Sequence, residues 1–308
     1  MNTVKIIIAI WAAAVVIAIV FGDVTIAAQP GSTTANFLKI GVGARAAGMG
    51  EAFTSIADNP SAVYWNAAGL RRMDCPQAEF SHQSWYQDVT IENLQVVFPQ
   101  SKVSFGAGLT YLNYGEFQAY DESGNPDGEL SMYNLALILS TAVDLTENVS
   151  VGLSGKYIEQ SFDVVKGHAF AADIGVMAGY KSIQVGLAAV NLGTTITYIA
   201  HKEALPSGIR LGLSVRQFDD KALIAFEGHA PFAGRLSLHQ GMEFRIIDQI
   251  AARTGLIYQT GAISGDNALS WNLGVGLSYG KGRFDYSIIP SEGYGTDTIH
   301  NFSISMRW

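Results

Sequence analysis

From Pro76 to the last residue, apolar side chains recur at every second position. The clearest case is the segment 268–280, whose odd positions hold Leu269, Trp271, Leu273, Val275, Leu277 and Tyr279 and whose even positions hold small or polar residues. This period is the period of a β-strand with one apolar face. Turn signals divide the region into about fourteen strands, an even number, as outer-membrane β-barrels require.

Short and long connections alternate between these strands, which is also typical of outer-membrane barrels. The longest connections are 115–129, 193–205, 259–267 and 290–297. The final strand ends on Trp308 and resembles the C-terminal strand by which such barrels are recognised for insertion. We therefore predict an all-β fold in which residues 76–308 form a transmembrane antiparallel β-barrel of about 14 strands.

The composition fits a protein whose outer surface faces lipid. Only 15% of the residues are charged, against about a quarter in soluble proteins. The net charge of -8, without a cluster of Lys and Arg, argues against binding to nucleic acid. Cys75 is the one cysteine in the chain, so an intrachain disulfide is excluded.

The N-terminus has the pattern of a signal peptide, predicted as residues 1–28. Lys5 precedes an apolar run from Ile6 to Phe21, and Ala27 and Ala28 follow where a signal peptidase cuts. The alternative is a membrane anchor, but the run is short for a hydrocarbon layer of about 30 Å. We expect a multi-pass barrel in the outer membrane of a Gram-negative type cell.

The stretch 36–70 is rich in glycine and does not alternate. We predict two short helices in it, one over Glu51 to Ala57 and one that starts with Asn59 as N-cap and Pro60. The inward faces of the predicted strands hold small and charged residues: Gly106, Gly108, Gly152, Gly186, Gly212, Gly274, Gly276, Lys156, Asp173, Arg210, Arg216, Glu243, Arg245, Arg253, Asp285 and Arg307. Such an interior has room for a further segment and supplies it with polar partners.

We therefore expect residues 29–75 to form an N-terminal, partly helical hatch, or plug, inside the barrel. Arg45, Glu51 and Asp58 are its candidate ion-pair residues. For Arg45 we expect a carboxylate partner on the wall, either Glu243 or Asp285, because a buried guanidinium without a partner is costly.

No reaction centre is found in the sequence. Gly276 to Gly280 match the G-x-S-x-G string, but Ser278 continues a strand pattern, whereas the catalytic motif needs a strand-to-helix turn. The six histidines lack the spacing of metal ligands. The prediction is no enzyme, no catalytic or metal-binding residue and no cofactor.

Several segments resemble the PorV/PorQ family, a branch of the FadL-like outer-membrane barrels. They are Phe37 to Arg45, Gly48 to Thr54, Asp58 to Ala62, Tyr64 to Leu70, Gly186 to Gly193 and Leu205 to Gly212. In place of the family's N-P-A-G-L element, this sequence has Asn66-Ala67-Ala68-Gly69-Leu70. The resemblance assigns the hatch motif to Gly41, Gly43, Arg45, Gly48, Met49, Gly50, Asn66 and Gly69.

The resemblance implies a role in type IX secretion, in which the barrel binds, shuttles or anchors exported proteins. Its partners would be outer-membrane lipid and exported proteins with a C-terminal signal domain, or a surface-anchored protein. The predicted contact surface is the 115–129 loop, with Phe117, Tyr120, Asp121 and Glu122 as candidate binding residues. The alternative is a FadL-like transporter of hydrophobic small molecules across the outer membrane.

Overall fold

The computed structural model describes residues 33–85, 89–121, 123–198, 201–261, 268–290 and 298–308. Within these ranges, fourteen antiparallel strands join into a closed barrel, in which the first strand pairs with both the second and the last. The barrel strands are β1 (Gln77–Ser84), β2 (Thr90–Pro99), β3 (Val103–Tyr120), β4 (Pro126–Thr146), β5 (Val149–Phe162), β6 (Val165–Tyr180), β7 (Ile183–Gly193), β10 (Gly208–Gln217), β11 (Ala222–Pro231), β12 (Ser237–Ile247), β13 (Ile250–Gln259), β14 (Ala268–Tyr279), β15 (Gly282–Ile289) and β16 (Ile299–Arg307). The predicted fold class is confirmed.

Two further strands, β8 (Ile196–Tyr198) and β9 (His201–Glu203), form a small separate hairpin between β7 and β10. This hairpin occupies the connection that was predicted as a long loop, and Ile196 on it is fully buried. The hairpin therefore packs against the barrel, with Ile196 in the buried interior.

The two ends of the barrel differ as the connection lengths predict. One end, the turn end, has the tight turns and the last residues of the chain, and Trp308 N donates to Pro76 O there at 3.1 Å. The other end, the loop end, has the longer connections, parts of which, 262–267 and 291–297, lie outside the described residues. Among the described residues, no helix is long and apolar enough to cross a membrane.

One predicted loop is wrong. β3 continues to Tyr120 and β4 already starts at Pro126, so most of 115–129 is a paired extension of the β3–β4 hairpin. The pairing of Phe117 with Leu130 belongs to this extension. The sequence pattern missed it because a β-bulge between Asn113 and Glu116 interrupts the alternation.

The outer surface of the barrel is apolar between two zones of aromatic residues. Leu139 and Leu153 are 71% and 55% exposed on it. Toward the loop end, the rings of Tyr111 and Tyr133 lie 5.6 Å apart. At the turn end, the rings of Phe98 and Trp308 lie 6.3 Å apart. An apolar band between aromatic girdles is the surface of a barrel of the outer-membrane type.

Residues 33–73, here called the inner segment, lie inside the barrel and are mostly buried. In the described chain they contain short helices only: 3₁₀ turns at Asn36–Lys39 and Ala67–Arg72, and α-helical turns at Ala44–Gly48 and Ala62–Trp65. The helix that starts near Asn59 is thus present but begins at Ala62, and the Asn59 Oδ1 expected to cap it accepts from Ser61 Oγ at 2.7 Å instead.

The predicted helix over Glu51 to Ala57 is wrong. Glu51 and Ala57 have φ angles of +63° and +30°, which a right-handed helix does not contain. Between them, the backbone N–H groups of Phe53 and Thr54 donate to Glu227 Oε2 at 3.0 and 2.8 Å. A carboxylate on the wall therefore binds two backbone N–H groups of this stretch.

We predict that Leu273→Arg destabilises the barrel by about 2–4 kcal/mol, the cost of an arginine on the lipid face near the bilayer midplane. Leu273 lies in the middle of β14 on the outer face and is 44% exposed. Urea-dependent folding into lipid vesicles measures the change. The matched control is Leu269→Arg on the same face near the loop end, where the cost is about 0–1 kcal/mol. Equal stability of the two variants would show that this strand is placed wrongly in the membrane.

Candidate functional site

The inner segment runs through the barrel from the loop end to the turn end. At the loop end, Thr34 N donates to Ala204 O at 3.0 Å. At the turn end, Arg71 Nη1 donates to Gln100 O at 2.8 Å, and its Nη2 lies 2.6 Å from Asp144 Oδ2. The segment is thus attached to both ends of the wall and occupies the whole length of the lumen.

Where the inner segment contacts the wall, its backbone lies directly against the backbone of the barrel strands. A Cβ atom added at Gly255 would lie 2.0 Å from Gly50 N, and one at Gly186 would lie 2.2 Å from Thr54 O. A Cβ at Gly274 would lie 3.2 Å from the Cα of Gly48. Because side chains do not fit into such distances, these positions need glycine. Of the predicted inward glycines, Gly186 and Gly274 thus face the inner segment, whereas Gly276 lies against the wall residues Arg253 and Asp285.

The predicted hatch-motif glycines serve two kinds of local geometry. Gly43 and Gly50 have φ angles of +91° and +60°, a region that favours glycine. Gly41 and Gly69 allow close packing inside the segment, since a Cβ at Gly69 would lie 2.1 Å from Ala57 O. Gly48 lies against the wall, as described above.

Met49 and Asn66 complete the predicted motif. Met49 is fully buried against Gly241. Asn66 Oδ1 accepts from Ala68 N at 3.1 Å and so caps the 3₁₀ turn that follows, while its Nδ2 donates to Val176 O at 3.2 Å. All motif residues thus have structural contacts in the lumen, and their role as the hatch motif stays a prediction.

Arg45 is the centre of a buried cluster of charges. Its Nε donates to Glu243 Oε2 at 2.8 Å, and its Nη1 pairs with Asp58. Asp58 also accepts from Arg216 Nη2 at 2.7 Å. Of the two predicted wall partners of Arg45, Glu243 is therefore the one found.

The cluster continues along the wall. Arg253 Nε donates to Glu243 Oε2 at 2.6 Å, and Arg253 Nη2 lies 2.9 Å from Asp285 Oδ1. Asp285, the other predicted partner of Arg45, thus pairs with Arg253 instead, and also with Arg283 at 2.8 Å. Removing one member of such a cluster leaves a buried charge unpaired.

A stack of cations and rings crosses the lumen. The Cζ of Arg45 lies 5.4 Å from the ring centroid of Phe53, whose ring lies 6.1 Å from that of Trp65. The Cζ of Arg210 lies 4.7 Å from the Trp65 ring. Phe53 and Trp65 are both fully buried, so these rings and guanidinium groups close the middle of the barrel.

Two cavities lie on opposite sides of this stack. The turn-end cavity has a volume of about 460 Å³ and is lined by Arg45, Asp58, Arg245, Arg307 and neighbouring residues. The loop-end cavity has a volume of about 200 Å³ and is lined by residues that include Glu51, Trp65 and Arg210. Glu51 therefore lies near Arg210 rather than in the Arg45 cluster. Among the described residues, no group of His, Cys, Asp or Glu is placed to hold a metal ion.

Some polar wall residues that hold the inner segment were missed by the sequence analysis. Glu227 binds Phe53 and Thr54 as described above, and His239 Nδ1 lies 2.7 Å from Gly50 O. Asn272 Nδ2 donates to Ala47 O at 2.6 Å, and Ser303 Oγ accepts from Ala44 N at 2.7 Å. Their position on the inward face could be read from the alternation, but their backbone partners could not.

The predicted partner-binding residues lie at the tip of the β3–β4 hairpin. Phe117 and Tyr120 are 40% and 64% exposed on β3, and Asp121 lies in the turn. Backbone and side-chain N–H groups of Asn125 donate to the Asp121 carboxylate and hold the pKa of Asp121 below its usual value. Glu122 lies outside the described residues. Binding of a partner by this tip stays a prediction.

Comparisons with known proteins give a family and a fold. The family model described as uncharacterised protein family UPF0164 matches residues 12–201, more than half of the chain. No curated protein matches the sequence. Similar solved structures include a hydrocarbon channel and toluene transporters, and their low sequence identity means that the likeness concerns the fold.

Three of these structures illustrate the likeness. The CymD monoaromatic hydrocarbon channel has a TM-score of 0.68 and 12% identity, over 87% of this chain and 98% of that one. The Pseudomonas putida toluene transporter TodX has a TM-score of 0.65 and 13% identity, over 86% and 97%. A Pseudomonas aeruginosa FadL homologue has a TM-score of 0.59 and 10% identity, over 86% and 98%.

We predict that Arg45→Ala loosens the inner segment while the barrel stays assembled, because it leaves the buried Glu243 short of a partner. Breaking a buried ion pair costs about 3–5 kcal/mol. Limited proteolysis should cut the inner segment faster in the variant, while the heat-dependent gel shift of the folded barrel is retained. The matched control is Arg71→Ala, which removes the more exposed pair with Asp144. An Arg45→Ala protein as resistant as the Arg71→Ala protein would contradict the central role of the cluster.

Proposed function

The chain belongs to the uncharacterised protein family UPF0164, and we propose that it is a channel through which small hydrophobic molecules cross the outer membrane. The observation that carries this proposal is the FadL-like fold, which the chain shares over most of its length with hydrocarbon channels. The apolar band and the two aromatic girdles support a location in the outer membrane. A cleaved signal peptide would bring the chain there.

The lumen supports a gated channel rather than an open pore. The loop-end and turn-end cavities are separated by the stack of Arg45, Phe53, Trp65 and Arg210. A solute that passes through the lumen therefore has to displace part of the inner segment. In this proposal the inner segment is the gate, and the buried charge cluster sets the free energy needed to open it.

A second candidate function is the binding of exported proteins in type IX secretion, which the resemblance to the PorV/PorQ family implies. The observation that favours it is the β3–β4 hairpin, whose tip exposes Phe117 and Tyr120. Aromatic residues are enriched at protein–protein interfaces. The secretion role needs the hairpin tip, whereas the channel needs a movable inner segment.

We predict that a disulfide between the inner segment and the wall stops uptake of a hydrophobic compound. Suitable positions are Gly48 on the inner segment and Ser287 on β15, since a Cβ at Gly48 would lie 3.5 Å from the Cβ of Ser287, within the range for a disulfide. The variant is Gly48→Cys with Ser287→Cys in a Cys75→Ser background. Uptake of radiolabelled toluene by a Gram-negative host should fall to the level without the channel under oxidation and return after reduction.

The two single-cysteine variants are the controls, because they carry the same substitutions without the link. Uptake that is the same in the oxidised and reduced double variant would show that the inner segment is not the gate. If cells that carry the wild-type protein took up toluene no faster than cells without it, the channel function itself would be overturned.

For the second candidate, we predict that replacing 115–129 with a short Gly and Ser turn leaves the barrel inserted and leaves toluene uptake unchanged. If the protein serves secretion, the same variant should lose capture of exported proteins, measured by cross-linking in cells. Delivery of all surface proteins at the wild-type level would remove this candidate.

A further inference from the structure

The loop-end cavity contains a buried guanidinium with free hydrogen-bond donors. Arg210 lies on the inward face of β10 and is only 5% exposed. Its Nη2 donates to Tyr64 Oη at 3.4 Å, but its Nε and Nη1 have no hydrogen-bond partner among the described residues. A buried donor without a partner costs free energy, and for a charged group the cost is higher. The unpaired N–H groups of Arg210 are therefore available to bind an anion.

Rings hold this guanidinium in place. Its Cζ lies 4.7 Å from the Trp65 ring and 5.3 Å from the Tyr64 ring, both on the inner segment. Stacking on rings stabilises the cation but leaves its edge, where the N–H donors are, free. The planar fork of an arginine suits a carboxylate, which accepts two hydrogen bonds side by side.

The other charged groups of the cavity do not take up these donors. Glu227 lines the cavity, but its Oε2 already accepts from two backbone N–H groups of the inner segment. Glu51 accepts a backbone hydrogen bond at Gly41. Both carboxylates therefore act on Arg210 through their charge, without accepting from its Nε or Nη1. Lys39 and Arg235 add two cationic groups to the lining. His229 Nε2 is also buried and has no partner in the described part of the chain.

Size and the remaining lining favour an organic ligand with one ring. The cavity has a volume of about 200 Å³, and a protein cavity of about 150 Å³ is known to hold benzene. Trp65, Pro206, Pro231 and Ile257 supply apolar surface beside the charged groups. Apolar walls with one polar anchor fix both the position and the orientation of a small ligand.

We propose that the loop-end cavity binds single-ring aromatic carboxylates, with Arg210 as the anion-binding group. As a binding site this rests on the cavity alone. As a statement about which molecules cross the membrane, it rests on the proposed channel function. The cavity would then select acids from among aromatic molecules before the inner segment opens.

Calorimetric titration of the detergent-solubilised full-length protein tests the proposal, with benzoate as the probe and benzyl alcohol as its uncharged counterpart. The wild type should bind benzoate saturably and more tightly than benzyl alcohol. Arg210→Met should weaken benzoate binding by about tenfold or more, the loss expected for a hydrogen bond to a charged group. Its affinity for benzyl alcohol should stay unchanged.

The matched control is Arg235→Met, which removes a half-exposed arginine of the same cavity and should leave most of the benzoate affinity. Arg210→Lys keeps the charge but lacks the fork, so it should fold and bind benzoate less tightly than the wild type. Wild-type benzoate affinity in both Arg210 variants would overturn the proposal, as would equal binding of benzoate and benzyl alcohol by the wild type.

The binding site and the channel can fail separately. Absence of benzoate binding together with normal toluene uptake would overturn the site and leave the channel function. Arginine-dependent benzoate binding in a protein that takes up no toluene would support the site and remove the channel function for neutral hydrocarbons.

Discussion

Direct contact between the backbone of the inner segment and glycines of the barrel wall is the constraint on which the rest of the structure depends. Gly48 lies against Gly274, and Gly50 lies against Gly255. A side chain at either wall position would push the inner segment toward the opposite wall. A gap would then open between the segment and the strand that carries that side chain. With glycine there, the backbone comes close enough for wall side chains such as Asn272 and Ser303 to bind its carbonyl and N–H groups. Close approach thus replaces regular secondary structure as the way in which this segment satisfies its backbone.

The buried charges follow from this placement. A guanidinium at Arg45 is tolerated in the lumen because Glu243 and Asp58 lie at hydrogen-bond distance from it. Arg210 is held differently: it stacks on the rings of Trp65 and Tyr64, and the charges of Glu227 and Glu51 act on it without a hydrogen bond. The two arginines therefore have different roles: Arg45 fastens the segment to the wall, and Arg210 keeps free donors toward a cavity. The stack of rings between the two arginines closes the lumen. The packing of the inner segment therefore bears directly on the proposed gating.

Membership of UPF0164 and a fold shared with hydrocarbon channels set the frame for the function. The fold alone does not name a solute, since the identity to those channels is 10–14%. The lumen of this chain differs in character from a purely apolar passage, because charged residues line both of its cavities. The lining at the loop end is the feature on which the proposed binding of aromatic carboxylates rests. The β3–β4 hairpin is a separate feature, and a partner of the hairpin would leave the lumen untouched.

The sequence by itself determined the barrel, its strand number and the direction of its faces. In a strand, side chains alternate between two faces, so each one points either to the lipid or to the barrel interior. It also placed Arg45 and Glu243 in the interior, since both fall on segments or faces that cannot face lipid. It failed for the backbone of Glu51 to Ala57, which is not a helix: both of these residues take positive φ angles, which the residue pattern does not encode. The β3–β4 extension was missed because a bulge breaks the period. Only the tertiary structure decided that Asp285 pairs with Arg253, and that Arg210 stacks on Trp65 with free donors, because these choices depend on distances across the lumen that alternation does not encode.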